Sequence, residues 1–301
     1  MGCVPNISDC AGWPFDCPLP RADLDIAGLG VMIGFCGNAL LTLIASLALH
    51  LLPSFAKLLP QLEPYTTDTK RIYLEKYIVG LGDQQLLLGL LMSVVAFAKF
   101  CSISIYHLEI VGELLWFSAT THLASMVVLR KYFKKSPHLL WLRLSLILMF
   151  GIFLAMFMLW IGFLGPGING SEFGRGSFGC SARCAWEQPI FFKHLRDPTL
   201  RAKLSALDIF YSVLPFVEFL FLIFGFGLSI GPYFREILEG WNKLETGTLV
   251  FLLISWIIVT AIIFYDRGPG QNIEGSENEW GFGQVLPVTL IALPFWQALT
   301  A

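Results

Sequence analysis

The chain has 301 residues, of which 55% are hydrophobic and only 14% charged, with a formal net charge of −2 at pH 7. A mean hydropathy of +0.68 lies far from the balance of a soluble globular protein, and the charge shows no excess of cations to hold nucleic acid. The expected class is an all-α, polytopic membrane protein whose partners are the lipid bilayer and a hydrophobic small molecule.

Residues 1–25 contain no apolar core of a cleavable signal peptide, so they are expected to form a lumenal tail, with the first span as its own insertion signal. The opening Met1-Gly2-Cys3-Val4 matches a dual-acylation pattern only in part, because Asn6 stands where Ser or Thr is usual. A bilayer core about 30 Å thick takes about 20 apolar residues per helix. Seven such runs follow, at 26–52, 78–100, 103–129, 140–165, 204–231, 246–265 and 282–299. The last is interrupted by Pro287 and Pro294, which a spanning helix tolerates when its neighbours satisfy the freed carbonyls. Seven spans do not divide into two equal inverted halves. One seven-helix transmembrane domain over 1–301 is therefore expected, with 166–203 as a cysteine-containing lumenal loop.

Lys57, Lys70, Arg71, Lys76, Arg130, Lys131, Lys134 and Lys135 crowd the loops 53–77 and 130–139, and that side should be cytosolic. The N-terminus is then lumenal, the C-terminus cytosolic, and the endoplasmic reticulum the expected membrane. Cys3, Cys10, Cys17, Cys101, Cys180 and Cys184 all fall on the lumenal side, where up to three disulfides can form. The glycosylation triplets beginning at Asn6 and Asn169 lie there too.

Ionisable residues inside a span are costly and normally face the bundle interior or water. In the third run Tyr106, Glu109, Glu113, Trp116 and Thr120 follow the alternating three and four spacing of one helical face. The fifth run offers a comparable row of Asp208, Tyr211, Pro215 and Glu218. If the two helices face one another, Glu109, Glu113, Asp208 and Glu218 enclose a cavity walled by Tyr106, Trp116 and Tyr211. Nearer the cytosolic ends, Asp83 and Gln84 open the second helix, His122 closes the third and Arg143 begins the fourth. These four are expected to form a structural polar cluster, with Asp83 serving as helix cap and dipole partner.

One of two neighbouring carboxyls in a low-dielectric pocket can keep its proton at neutral pH and donate it. Tyr and Trp faces can stabilise a cation that develops in an apolar substrate. No aspartate-rich pair is present to hold a metal-bound diphosphate, and the five histidines form no diiron box. Neither metal nor cofactor is expected. The sixth and seventh runs lack a lysine for a retinal Schiff base.

The stretches DIAGLGVMIGF (25–35), GLGDQQLLLG (80–89) and CSISIYHLEIVGELLWFSATTHL (101–123) resemble a broad, mostly uncharacterised group of ascomycete seven-span proteins found among secondary-metabolite genes. The resemblance covers the first three helices. In architecture and chemistry it is also similar to fungal integral-membrane meroterpenoid terpene cyclases, which protonate an epoxide with buried carboxylates. What this implies is a metal-independent cyclase or isomerase of a prenylated, lipid-soluble intermediate, associated with other membrane enzymes of its pathway. Glu109 or Glu113, the deeper Glu113 first, would be the acid and Glu218 or Asp208 its partner or final base. A non-enzymatic receptor or sensor, or a metabolite carrier, is the alternative.

Overall fold

The computed structural model describes residues 17–58, 68–134, 137–164, 179–187, 217, 220, 221, 223–227, 241–267 and 273–300. Its elements are α1 (Leu24–Ala27), α2 (Leu29–Leu58), α3 (Asp68–Ala98), α4 (Ile105–Val128), α5 (Arg130–Lys134), α6 (Pro137–Leu164), α7 (Ala182–Glu187), α8 (Trp241–Asp266), α9 (Phe282–Leu290) and α10 (Ala292–Thr300). Among the described residues there is no strand, only the isolated bridges Arg21 to Glu274 and Ser104 to Ser181. The described part of the protein is all-helical, and among the described residues five helical segments are long and apolar enough to cross a membrane: Leu24–Leu51, Arg71–Ala98, Ile105–Val128, His138–Met158 and Glu245–Asp266. Most of the fifth expected run, 204–231, lies outside the described residues.

α4 is the central helix. Of its membrane window 94% is buried inside the protein, against 28% for the corresponding windows of α6 and α8, and it packs against α2, α3, α6 and α8. Its start is pinned from outside the bundle. Ser104 caps it by accepting from the His107 N–H, a bond that satisfies one of the free donors of a helix's first turn. Ile105 N–H donates to the Cys180 carbonyl at 3.0 Å and Ala182 N–H to the Ile103 carbonyl at 2.8 Å. A disulfide joins Cys180 to Cys17, Cys101 and Cys184 are disulfide-bonded as well, and Cys36 is the free cysteine among the described residues.

The last apolar run is not one continuous span. It is broken at Ile291 into α9, which contains Pro287, and α10, so that Phe282–Gln297 forms a short apolar segment. α9 packs on α2 and α10 on α3, and glycines make the close approach possible. A Cβ at Gly30 would overlap the backbone of Gln284, and one at Gly34 would overlap the Pro287 ring. Packing of this kind between spanning helices depends on small residues at the contact. Gly34→Val should therefore displace α9 and destabilise the protein by about 1–3 kcal/mol, read as a lower thermal midpoint in detergent. Gly37→Ala is the control, because its Cβ would meet only Ile291 Cδ1 at 3.6 Å; equal losses in both variants would refute the contact.

One expected boundary is corrected. α3 begins at Asp68 rather than near residue 78, so Asp83 and Gln84 sit in mid-helix and Asp83 is no helix cap. The ten preceding residues are more polar than the rest of α3 yet continue the helix, with an Arg71–Glu75 pair at 2.9 Å one turn apart. Hydropathy marks where a helix can meet lipid, and hydrogen bonding continues it beyond that point.

A candidate active site in a buried carboxyl cluster

The face of α4 carrying Tyr106, Glu109, Glu113 and Trp116 meets α8. Trp116 Nε1 donates to Ser255 Oγ at 2.7 Å, and one side of the same contact is completed by Glu113 hydrogen-bonded to Asp266, at the end of α8. Asp266 also lies within electrostatic reach of Glu109. Glu109 and Asp266 are both buried, and neither oxygen of Glu109 has a hydrogen-bond partner among the described residues. The result is three carboxyl groups held between two helices, one of them with no donor directed at it from the described residues.

A further acid sits against the first turn of α4. Gly275, at φ 104°, a conformation that favours glycine, turns the 273–281 segment inward and carries Glu277 into a buried position. Its carboxylate accepts from Tyr106 Oη at 2.9 Å and contacts His107 Nε2 at 3.2 Å, while Arg267 Nε stands 3.5 Å away. His107 Nδ1 is 2.7 Å from Ser104 Oγ. The same segment is stitched to the N-terminal tail: Glu274 N–H donates to the Pro20 carbonyl, Ala22 N–H to the Glu274 carbonyl, and Arg21 pairs with Glu274 at 3.1 Å. Together with α9 it also satisfies the start of α2, where Gly30 N–H donates to Gln284 Oε1 of α9 at 2.9 Å and Leu29 N–H to the Glu277 carbonyl at 3.3 Å.

Of the residues expected from sequence, the structure joins Tyr106, Glu109, Glu113 and Trp116 on one face. Their partners come from α8 and the 273–281 segment. Asp208, Tyr211 and Glu218, and the glycosylation candidates Asn6 and Asn169, lie outside the described residues. Asp266 and Glu277 were missed. Asp266 stands one residue beyond the apolar run 246–265, and Glu277 sits in a polar segment that reads as an ordinary connecting loop; the only signal was its density of acids, Glu274, Glu277 and Glu279.

The expected polar cluster occupies another side of α4, against α3 and α6. Asp83 Oδ1 pairs with Arg143 Nη2 at 2.9 Å, Arg143 also donates to the Val79 carbonyl at 3.3 Å, and its guanidinium lies 5.1 Å from the centre of the Phe133 ring. His122 is buried beside them, edge-on to Phe150 at 5.3 Å. The Gln84 carboxamide is also enclosed, with no hydrogen-bond partner among the described residues. Among the described residues no three His, Cys, Asp or Glu side chains are grouped to ligate a metal ion. No family model, curated protein or solved structure matches the chain.

Proposed function

We propose that the chain is an integral-membrane enzyme of seven spans that cyclises or isomerises a prenylated, lipid-soluble metabolite by acid catalysis. The observation that carries this reading is the buried Glu109 carboxyl, without a hydrogen-bond partner among the described residues, beside the Glu113–Asp266 pair. Glu109 is the donor in this scheme. Its proton goes to an epoxide oxygen or an alkene carbon, the C–O or π bond opens, and the cation closes a ring by taking an alkene electron pair. The Glu113–Asp266 pair then accepts the proton lost from the product and returns it to Glu109, so the reaction is a net isomerisation. Tyr106 and Trp116 offer ring faces to the cation, each interaction contributing about 0.5–2 kcal/mol. The geometry favours Glu109 over Glu113 as donor because Glu113 is already engaged with Asp266.

A receptor or carrier is the second reading, favoured by the buried Glu277 contacts with Tyr106 and His107 and by the Cys17–Cys180 disulfide, which tie the 273–281 segment and residue 17 to the start of α4. Expression in yeast with prenylated epoxides, followed by product analysis, separates the two. New cyclic product dependent on the chain supports the enzyme; substrate binding without turnover supports the alternative.

The proposed membrane is the endoplasmic reticulum, with the N-terminus lumenal. Endoglycosidase should increase the mobility of the expressed protein, and replacing both Asn6 and Asn169 should abolish that shift. A C-terminal tag protected from protease in sealed microsomes would overturn the orientation.

A further inference from the structure

The side of α4 facing α3 and α6 holds polar groups that the carboxyl cluster does not use. Ser118 Oγ donates its single proton to the Gln85 carbonyl at 2.7 Å. His122 Nε2 lies 3.3 Å from the same oxygen and must therefore be the donor there, which assigns the ring proton of neutral His122 to Nε2. Nδ1 is then a bare lone pair. It is fully enclosed, with no partner among the described residues, and so are both polar atoms of the Gln85 carboxamide. The space is narrow: a Cβ at Gly82 would meet the Arg143 guanidinium, and one at Gly89 would meet Ser118 Oγ. The charged groups facing His122 are Arg143 from α6 and, through it, Asp83 from α3, whose side chain is 59% exposed.

Buried polar groups left without protein partners are commonly satisfied by ordered water making two to four hydrogen bonds, and so narrow a seam admits little else. We propose that the α3–α4–α6 seam is a hydrated site in which water, exchanging past Asp83, donates to His122 Nδ1 and bridges it to the Gln85 carboxamide. His122 Nδ1 is thereby an acceptor for exchanging water in this seam, independent of any catalysis at Glu109. Such a donor could also be the hydroxyl of a co-purified lipid, and the test separates the two sources.

The experiment is nitrogen-15 NMR of the full-length protein labelled at histidine, with His122→Gln to assign the signal. Expected are a proton on Nε2, a hydrogen-bonded Nδ1, and magnetisation exchange with water that persists after exhaustive delipidation. Gln85→Leu should weaken that exchange while the fully partnered His107 stays unaffected in both proteins. A proton on Nδ1, an Nδ1 free of any hydrogen bond, or exchange lost on delipidation would each overturn the hydrated site.

Discussion

Glu109→Gln is expected to reduce product formation by about 10²–10⁴-fold, the usual contribution of a positioned general acid, while expression and thermal stability stay at wild-type level. The amide has the size of the acid but no transferable proton, and it forfeits no protein hydrogen bond because Glu109 makes none among the described residues. Glu109→Met sharpens the test. If the acid is retained for chemistry, replacing an unpartnered buried polar group by an apolar one of similar volume should leave the protein as stable or more stable, yet inactive. Glu113→Gln should be milder, because an amide can still donate to Asp266. Full activity of Glu109→Gln, in an assay where wild type makes product, would remove Glu109 from the donor's role and return it to Glu113. Loss of folding in both Glu109 variants would instead assign the group to helix packing.

Glu277→Ala should be the most destabilising single change at the site, by about 3–5 kcal/mol, the range for removing one partner of a buried ion pair. Arg267 and Glu277 side chains are 10% and 5% exposed, so truncation leaves a guanidinium enclosed without its carboxylate and also takes the acceptor from Tyr106 and His107. Tyr106→Phe removes one of those bonds and should cost about 1 kcal/mol. Glu277→Gln keeps an acceptor but not the charge, and should fall between them. The measurement is the thermal midpoint of each variant in one detergent at one scan rate, since unfolding of such a protein is read as a rate-dependent quantity. If Glu277→Ala melted with wild type, the Glu277 contacts would contribute nothing measurable to the stability of the fold.

Membrane character, the positions of most long helices and the shared face of Tyr106, Glu109, Glu113 and Trp116 were legible in the residues, because each depends on local order. Hydropathy over about 20 residues reports the solvent a helix meets, and a helical repeat of 3.6 residues decides which side chains share a face. The cysteines were similarly informative: their grouping on one side of the spans anticipated disulfide bonding there, of which Cys17–Cys180 is an instance, though not which thiols pair. Three things were settled only by the tertiary structure. Among the described residues Asp266 from α8 is a carboxyl partner of Glu113 on α4, because which helix lies against which depends on shape, not on the spacing within either. Glu277 acquired its place when Gly275 turned the segment inward and Arg267, Tyr106 and His107 converged from two helices; nothing in a polar loop's composition distinguishes an acid that will be buried from one left in water. Asp83 looked like a helix cap and became one half of an ion pair with Arg143, since α3 runs on through polar residues that hydropathy assigns to a loop. Solvent preference and periodicity are written along a single stretch of chain, whereas the pairing of buried charges is an agreement between distant stretches, reached only when packing has excluded the water that would otherwise satisfy each of them alone.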